Sequence, residues 1–344
     1  MRCIVIQTAF LGDALLTLPL LDLLRRSPAI EWVGVLAAPA GAEVVRLAAA
    51  ADRVIEWDKR AGRGPAGTAR VVRALRECRA DAALVPHRSF RSALLPLLAG
   101  VRTRVGFDES GGRLLLTETV RYRERAHEVE RIAILAARVG VEVPGGRVPY
   151  ALRARSEDRD AVERFLGGAD VGPSTPLLLV APGSRWATKR WLPERFAAAA
   201  RALARDLGAA IAIAGGPGDA APGRAVAAAL PEPPVDAVGR LSVGEWIAIT
   251  ERAAIVLSND SAAAHAAAGL GTPVVAVFGP TVPAMGFSPY SDRAAVLGAG
   301  VDCRPCGRHG HAVCPLGHHA CMTEISADAV LAAARGLLAG SRPS

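Results

Sequence analysis

The chain has 344 residues, 51% of them hydrophobic and only 4% aromatic, and it carries a formal net charge of +8 at pH 7. This length predicts two domains of ordinary size. The hydrophobic content is ample for buried cores, so it predicts a soluble globular protein and excludes an intrinsically disordered chain. The positive charge favours an anionic partner such as a nucleotide, a phosphorylated lipid surface or nucleic acid.

The most apolar segment, residues 3–24, predicts neither a signal peptide nor a transmembrane helix. Asp13 and Asp22 interrupt it, and Arg25 and Arg26 stand between it and any cleavage site. We therefore expect a cytoplasmic protein, in which disulfides are not expected and clustered cysteines need another explanation.

The first half alternates short apolar strands with helical patterns. A strand at 2–8, a turn containing glycine, a helix at 14–26 and a strand at 30–37 form a βαβ unit. Further strands are predicted at 53–57, 82–86 and 102–106, and helices at 41–50, 68–78, 90–99 and 126–139. This half therefore predicts a parallel sheet flanked by helices.

A second series of the same kind follows a helix at 157–166 and a linker rich in Gly and Pro at 167–176. Its strands are predicted at 177–181, 210–214, 235–238, 255–257 and 273–278, and its helices at 193–207, 220–230, 242–252, 262–270 and 326–339. Two doubly wound α/β halves imply a cleft between the carboxyl ends of two sheets. We assign an N-terminal domain to 1–155, a helix and linker to 156–176, a C-terminal domain to 177–325, and a last helix to 326–344 that packs back on the N-terminal domain.

The segment 256–281 predicts a strand, a polar turn, a helix of small residues and a second strand. A turn that opens a helix offers free backbone N–H groups and the positive end of a helix dipole, which suit a phosphate. Asp260 and Ser261 are good capping residues, and His265 follows Ser261 by about one helical turn. This element is expected to hold a nucleotide diphosphate.

A second candidate phosphate site, residues 181–191, follows the first strand of the second half. It combines a glycine turn with the hydroxyls of Ser184 and Thr188 and with Lys189, one of only two lysines in the chain; the other is Lys59. These are the groups that a pyrophosphate requires, although a basic surface loop would have the same composition. The glycine cluster at 214–219 would let a base or ribose lie against the backbone, and it is equally well explained as an ordinary βα turn.

Charged residues also follow strands of the first half. Asp13, at the end of the first strand, is placed either to act as a general base or to cap the following helix. Arg88 and Arg91 follow a later strand, where they are suited to an anionic acceptor or are solvated surface charges. Both alternatives stay open from spacing alone.

Four of the six cysteines cluster near the C-terminus, at Cys303, Cys306, Cys314 and Cys321, with histidines among them. The first two have the spacing of half a zinc knuckle, but the last two do not. A structural metal site, reduced structural thiols and a redox function are the three interpretations.

Several segments together resemble the lipopolysaccharide heptosyltransferases, glycosyltransferase family 9, and are most similar to the heptosyltransferase II group. The resemblance runs almost the full length of the chain and rests on residues 11–19, 89–96, 104–107, 127–131, 182–183, 188–191, 258–261 with His265, and 314–324.

The resemblance implies a GT-B fold, in which two Rossmann-like doubly wound α/β domains face each other across a cleft, the first binding the acceptor and the second the nucleotide-sugar. It implies an inverting transfer of heptose from ADP-heptose to the heptosyl-Kdo-lipid A inner core. By this resemblance Asp13 is the catalytic base, Arg88 and Arg91 bind the acceptor, and the donor site comprises Ser184, Thr188, Lys189, Asp260, Ser261, Ala262 and His265.

The expected partners are the ADP-heptose donor, a phosphorylated glycolipid acceptor and the inner face of the cytoplasmic membrane, where the protein is peripheral. We expect a monomer with no nucleic acid partner and no required cofactor or metal. One departure is Ala262-Ala263, where the family usually has Gly-Pro or a similar pair. The alternatives are therefore a related family 9 transferase with another nucleotide-sugar or acceptor, or a non-catalytic nucleotide-sugar-binding protein.

Overall fold

A computed structural model describes residues 1–59 and 64–340. The chain divides into two compact units, Met1–Tyr150 and Ala151–Ser344, so the division lies close to the boundary placed at residue 155 from sequence. Within the described residues, no helix combines the length and the hydropathy needed to cross a membrane.

The first unit is a parallel sheet with helices. Its described strands are β1 Arg2–Gln7, β2 Trp32–Ala37, β3 Arg53–Glu56, β4 Ala82–Val85, β5 Thr103–Phe107 and β6 Glu118–Val120, in the order β3-β2-β1-β4-β5-β6. Its described helices are α1 Leu11–Arg26, α2 Pro39–Leu47, α3 Pro65–Glu77, α4 Phe90–Leu98 and α5 Glu128–Ala133. The helix predicted at 126–139 is shorter, because after α5 the chain continues as a 3₁₀ helix, Ile134–Val139.

The second unit repeats this architecture. Its described strands are β7 Leu177–Ala181, β8 Ala210–Ile213, β9 Val235–Asp236, β10 Ile255–Asn259, β11 Val274–Val277 and β12 Ala294–Leu297, in the order β12-β11-β10-β7-β8-β9. Its described helices are α6 Ser156–Gly167, α7 Pro193–Leu207, α8 Ala220–Ala228, α9 Val243–Arg252, α10 Ala262–Leu270, α11 Ala320–Thr323 and α12 Ala327–Ala339.

Helix α7 shows how local sequence defines these elements. Pro193 occupies the first turn, where its missing N–H is not needed, and Gly208 ends the helix in the left-handed region at φ 60°. Phe196, Ala200 and Leu203 recur at helical spacing and are buried in the core of the second unit. Helix α12 packs against α7 and β12 of the second unit, and its packing on the N-terminal domain stays a prediction.

Both sheets reverse their strand order beside their first strand. In the first unit β1 pairs with both β2 and β4, and in the second β7 pairs with both β8 and β10. At such a switch point the connections leave toward opposite faces and open a crevice at the carboxyl ends of the strands. The predicted doubly wound α/β fold is confirmed for each unit, and it directs attention to the turns after β1, β4, β7 and β10.

Candidate functional site

The turns after β7 and β10 are tied together by Asn259, the last residue of β10. The Asn259 side chain is fully buried; its Nδ2 donates to the carbonyl oxygen of Pro182 at 2.8 Å, and its Oδ1 accepts from the N–H of Trp191 at 2.9 Å. One side-chain amide therefore holds both ends of the 182–191 loop at the edge of the sheet. Buried amide groups require such partners, so Asn259 fixes the path of this loop.

A buried ion pair joins this loop to the turn after β10. Lys189 Nζ is 2.5 Å from Asp260 Oδ2, and the two side chains are 13% and 7% exposed. The Thr281 hydroxyl donates to the same carboxylate oxygen at 2.5 Å, and the Ser184 hydroxyl donates to the carbonyl of Asp260 at 3.5 Å. Because a buried ammonium is costly without a partner, Asp260 stabilises Lys189 in one position. The structure thus brings together Ser184, Lys189 and Asp260, three of the predicted donor-binding residues.

The N-terminus of α10 follows directly after Asp260. Among the described residues, the Ser261 side chain makes no capping bond to α10; its Oγ lies instead 3.1 Å from the Ser258 hydroxyl. The first turn, beginning at half-exposed Ala262, carries no acidic side chain, and His265 is buried one turn later. The first backbone N–H groups of this helix are therefore oriented to accept an anionic ligand.

Thr188, the remaining predicted donor-binding residue, is used differently. Its hydroxyl both donates to the carbonyl of His311 at 3.0 Å and accepts from the N–H of His311 at 2.7 Å. Its exposure is 5%. Thr188 therefore fixes the loop, and a direct contact with a donor stays a prediction.

The glycines of the 214–219 turn serve the approach of two loops. A Cβ at Gly183 would lie 2.2 Å from the Asp219 carboxyl group, and a Cβ at Gly215 would lie 2.8 Å from it. Asp219 in turn accepts from the N–H of Gly216 at 2.9 Å. Glycine is needed here because the Asp219 side chain lies against the turn after β7.

In the first unit, Asp13 lies in the first turn of α1. Its Oδ2 accepts from the N–H of Phe10 at 3.1 Å, so the helix-capping interpretation has a visible contact. Burial lowers the pKa of Lys59 and raises the pKa of Glu128; the negative charge of Asp13 opposes the first shift and adds to the second. A capping carboxylate keeps a second oxygen, so the capping contact is compatible with the role of a base.

Lys59, on which the charge of Asp13 acts, lies among other basic side chains. Burial, followed by the charge of Arg91, lowers the pKa of Lys59. Burial, followed by the charges of Lys59 and Arg88, lowers the pKa of His87 to about 4. Lys59, Arg88 and Arg91, with neutral His87, therefore form a basic group at the switch point of the first sheet, and we name it the basic cluster.

A second carboxyl group, Glu128, belongs to the same edge. Burial raises its pKa to about 7, although Arg131, 2.5 Å away and 1% exposed, opposes the rise. Arg88 and Arg131 both stack on the Tyr122 ring, at 3.9 and 4.3 Å from its centroid. The resemblance included residues 127–131 but did not assign Glu128 or Arg131 a role. The sequence therefore located the segment but did not reveal the ion pair between these two side chains.

The four C-terminal cysteines are free thiols. Cys321 is buried in the core, and burial raises its pKa to about 11. Cys314 has the opposite environment, because backbone N–H groups, chiefly that of His319, donate to its sulfur and lower its pKa. Within residues 1–59 and 64–340, no group of three or more His, Cys, Asp or Glu side chains is arranged to hold a metal ion.

The amino-acid sequence is similar to a family of known proteins. A model for glycosyltransferase family 9 (heptosyltransferase) matches residues 68–316. The lipooligosaccharide heptosyltransferase 2 of Haemophilus influenzae is 27% identical over 239 residues, covering 66% of this chain and 68% of the relative. The lipopolysaccharide heptosyltransferase 1 of Pseudomonas aeruginosa is 28% identical over 332 residues, covering 89% and 86%.

The fold comparison agrees. The structure of E. coli ADP-heptose lipopolysaccharide heptosyltransferase II superposes with a TM-score of 0.80, at 23% identity and 99% coverage of each chain. The GT-B fold class implied by the resemblance is thereby confirmed.

Proposed function

Since the family model covers more than half of it, this chain belongs to glycosyltransferase family 9, the heptosyltransferases, and we propose that it moves heptose from ADP-heptose to the heptosyl-Kdo-lipid A inner core of lipopolysaccharide, with inversion at the transferred carbon. It is a glycosyltransferase of lipopolysaccharide synthesis by family; the donor, the acceptor and the stereochemistry are the proposal. The observation that carries it is the buried pair of Lys189 and Asp260 beside the N-terminus of α10.

In this proposal the second unit binds the donor. Lys189, oriented by Asp260, and the N–H groups that open α10 bind the diphosphate, and Ser184 and Ser261 supply hydroxyls. Negative charge grows on the diphosphate as the sugar leaves, and preorganised donors stabilise that charge best where water is excluded. Lys189 and the helix dipole together perform the task that a divalent cation performs in other transferases, so no cofactor is required. His265, one turn into α10, contacts the leaving ADP.

The first unit binds the acceptor and holds the base. Asp13 takes the proton of the acceptor hydroxyl, whose oxygen forms a bond to the anomeric carbon of heptose. The bond from that carbon to the diphosphate oxygen breaks, and ADP leaves with the electron pair. A single displacement of this kind inverts the anomeric carbon. The basic cluster, which includes Arg88 and Arg91, binds the phosphate and carboxylate groups of the acceptor.

Exposed apolar side chains support a peripheral position on the inner face of the cytoplasmic membrane. Phe10 and Phe90, which lie in the connections that follow β1 and β4, are each 55% exposed, and Leu114 is 88% exposed. Apolar residues next to basic ones are suited to an anionic lipid surface. In this proposal the protein acts as a monomer.

A related family 9 transferase with a different donor is the second candidate. The feature that favours it is Ala262-Ala263 at the start of α10, since the Cβ of Ala262 occupies space beside the first N–H groups that a glycine would leave open. The fold and the phosphate site would be unchanged, and only the sugar or base would differ.

A panel of nucleotide-sugars separates the two candidates. We would measure binding of ADP-heptose, other ADP-sugars, GDP-sugars and UDP-sugars by calorimetry, and transfer to purified heptosyl-Kdo-lipid A by mass spectrometry. We expect ADP-heptose to bind most tightly and to be the donor that yields product. Tighter binding and faster transfer with another nucleotide-sugar would replace the donor assignment and leave the family unchanged.

A further inference from the structure

The segment between β12 and α11, residues 298–319, is a long connection without regular secondary structure. Connections longer than about 12–15 residues without regular structure are uncommon in compact domains unless they serve a function. This one contains Cys303, Cys306 and Cys314, yet its polar contacts are made with the loops that carry the proposed donor site. We name it the cysteine-histidine segment.

Two histidines hold the loop of Lys189. His319 Nε2 donates to the carbonyl oxygen of Thr188 at 2.8 Å, and the backbone of His311 makes the two bonds to the Thr188 hydroxyl described above. The N–H of Thr188 also donates to the carbonyl of His311 at 3.1 Å. Every polar group of Thr188, the residue before Lys189, is thus bound by this segment.

The segment also lies against the Lys189 side chain itself. A Cβ at Gly310 would be 3.0 Å from Lys189 Cγ and 2.7 Å from Trp186 Cβ. His309 stacks on the Trp186 ring, with centroids 6.5 Å apart. Gly310 therefore packs against the aliphatic part of Lys189 and limits the positions that its ammonium group can occupy.

Arg304 performs the same task for the turn after β11. Its guanidinium group donates to the carbonyl oxygens of Gly279, Ala299, Phe278 and Thr281. Thr281 is the residue whose hydroxyl binds the Asp260 carboxylate. The N–H of Cys306 adds a bond to the carbonyl of Pro280 at 2.9 Å.

These contacts converge on the one ion pair. Thr188 is the residue before Lys189, and the Thr281 hydroxyl donates to Asp260. The cysteine-histidine segment therefore holds the two loops that position the two partners of the ion pair. From this convergence we propose that Arg304, His311 and His319 are positioning residues that preorganise Lys189 and Asp260 for binding of a nucleoside diphosphate. The proposal rests on the donor site proposed above and assigns a role to the cysteine-histidine segment, which is followed by the buried side chains of Cys321 and Met322 in α11.

Preorganisation predicts an effect on affinity without any contact to the ligand. When a positioning bond is lost, the loop samples other conformations, and the diphosphate must restore the productive one at the expense of binding free energy. The loss of one buried hydrogen bond of this kind corresponds to about a tenfold weaker affinity.

The test is ADP binding by calorimetry, with three matched variants of two adjacent histidines. His319→Leu removes the donor to Thr188, and His319→Gln retains an N–H donor. Both replacements bear the same strain of the left-handed backbone at φ 51°, so their difference reports the hydrogen bond. His318→Leu is the control, since His318 is exposed and its ring contacts the N–H of Ala320. We expect a Kd about tenfold higher for His319→Leu, and within about twofold of the parent for the other two.

A double-mutant cycle distinguishes positioning from a direct contact. If His319 acts through the Lys189 loop, His319→Leu has little further effect in a Lys189→Ala background. Independent, additive losses would overturn the proposal, as would parent-like ADP binding by His319→Leu. Should His319→Leu fail to fold, Arg304→Lys gives a second measurement, because it keeps the charge and loses the fork; about tenfold weaker binding is again expected. A folded parent protein that binds no ADP would instead refute the proposed function together with this inference.

Discussion

Replacement of Lys189 by methionine gives the sharpest prediction. The variant keeps the aliphatic length of the side chain and removes the ammonium group that lies 2.5 Å from Asp260. A charge-assisted hydrogen bond contributes about 1.5–3 kcal/mol, so the affinity for ADP should fall by about 10- to 150-fold. The upper part of this range is expected, because the Asp260 carboxylate would then stand near the diphosphate without its counter-charge.

The same change should destabilise the second unit. Both partners are less than one seventh exposed, and a broken buried pair costs about 3–5 kcal/mol when one charge is left without its partner. The Thr281 hydroxyl still binds Asp260, so the lower end is expected. Adding Asp260→Asn removes the uncompensated charge and should recover much of the stability, but only that part of the ADP affinity that was lost to repulsion by the carboxylate. That separation identifies Lys189 as a ligand-binding group.

Calorimetry with ADP, together with urea unfolding of each variant, measures both effects. Lys59→Met is the matched control, because Lys59 is the other lysine of the chain and belongs to the first unit. The Lys59→Met variant should bind ADP with the same affinity as the parent protein. Parent-like binding of ADP by Lys189→Met would refute the assignment of the diphosphate site.

Three further predictions follow from the described contacts. Asp13→Asn should lower kcat by roughly 10²- to 10⁴-fold, the contribution of general-base catalysis, with ADP affinity unchanged; steady-state transfer assays and calorimetry measure this, and a variant with parent-like turnover would remove Asp13 as the base. Burial, as the largest cause, lowers the pKa of His87 to about 4, so folding favours the neutral ring. The free energy of unfolding should therefore be highest above about pH 6.5 and should fall, by at most about 3 kcal/mol, as pH drops toward 4. Urea unfolding at pH 7 and pH 5 should show a smaller drop in this free energy for His87→Gln than for the parent, and an identical pH dependence would contradict this cause. Cys314, whose pKa backbone donors lower, should react with iodoacetamide at pH 7 before Cys321 and before buried Cys3, whose pKa burial raises to about 12; peptide mass spectrometry gives the order, and earlier labelling of Cys321 would show that the segment opens.

Much of the fold was predictable because buried parallel strands are continuous apolar runs and the helices between them are punctuated by Gly and Pro. The strands that the sequence missed lie at the edges of the two sheets. β6 is short and partly polar, Glu118–Val120, and β12 is only half-buried, so neither has a strong apolar signal. β10 extends two residues beyond its predicted end, to Asn259, because the polar side chains of Ser258 and Asn259 have buried partners that sequence does not reveal.

The candidate sites show the same limit. That Ser184, Lys189 and Asp260 lie together could be predicted because each stands near the carboxyl end of a predicted strand, where ligands bind in this class of fold. Thr281, Arg304 and His319 were not found, because their roles depend on contacts between residues far apart in the chain. His319 and Thr188, for example, are separated by 131 positions. Spacing describes which residues share a turn, and it does not describe which loops meet in space.

The transfer reaction itself tests the central claim most directly. Purified protein would be incubated with ADP-heptose and heptosyl-Kdo-lipid A, and the product isolated for mass spectrometry and for NMR of the new glycosidic bond. We predict an acceptor heavier by one heptose, one ADP released for each heptose transferred, and an anomeric configuration opposite to that of the donor. A product with the retained configuration, or no product from an enzyme that binds both substrates, would contradict the account.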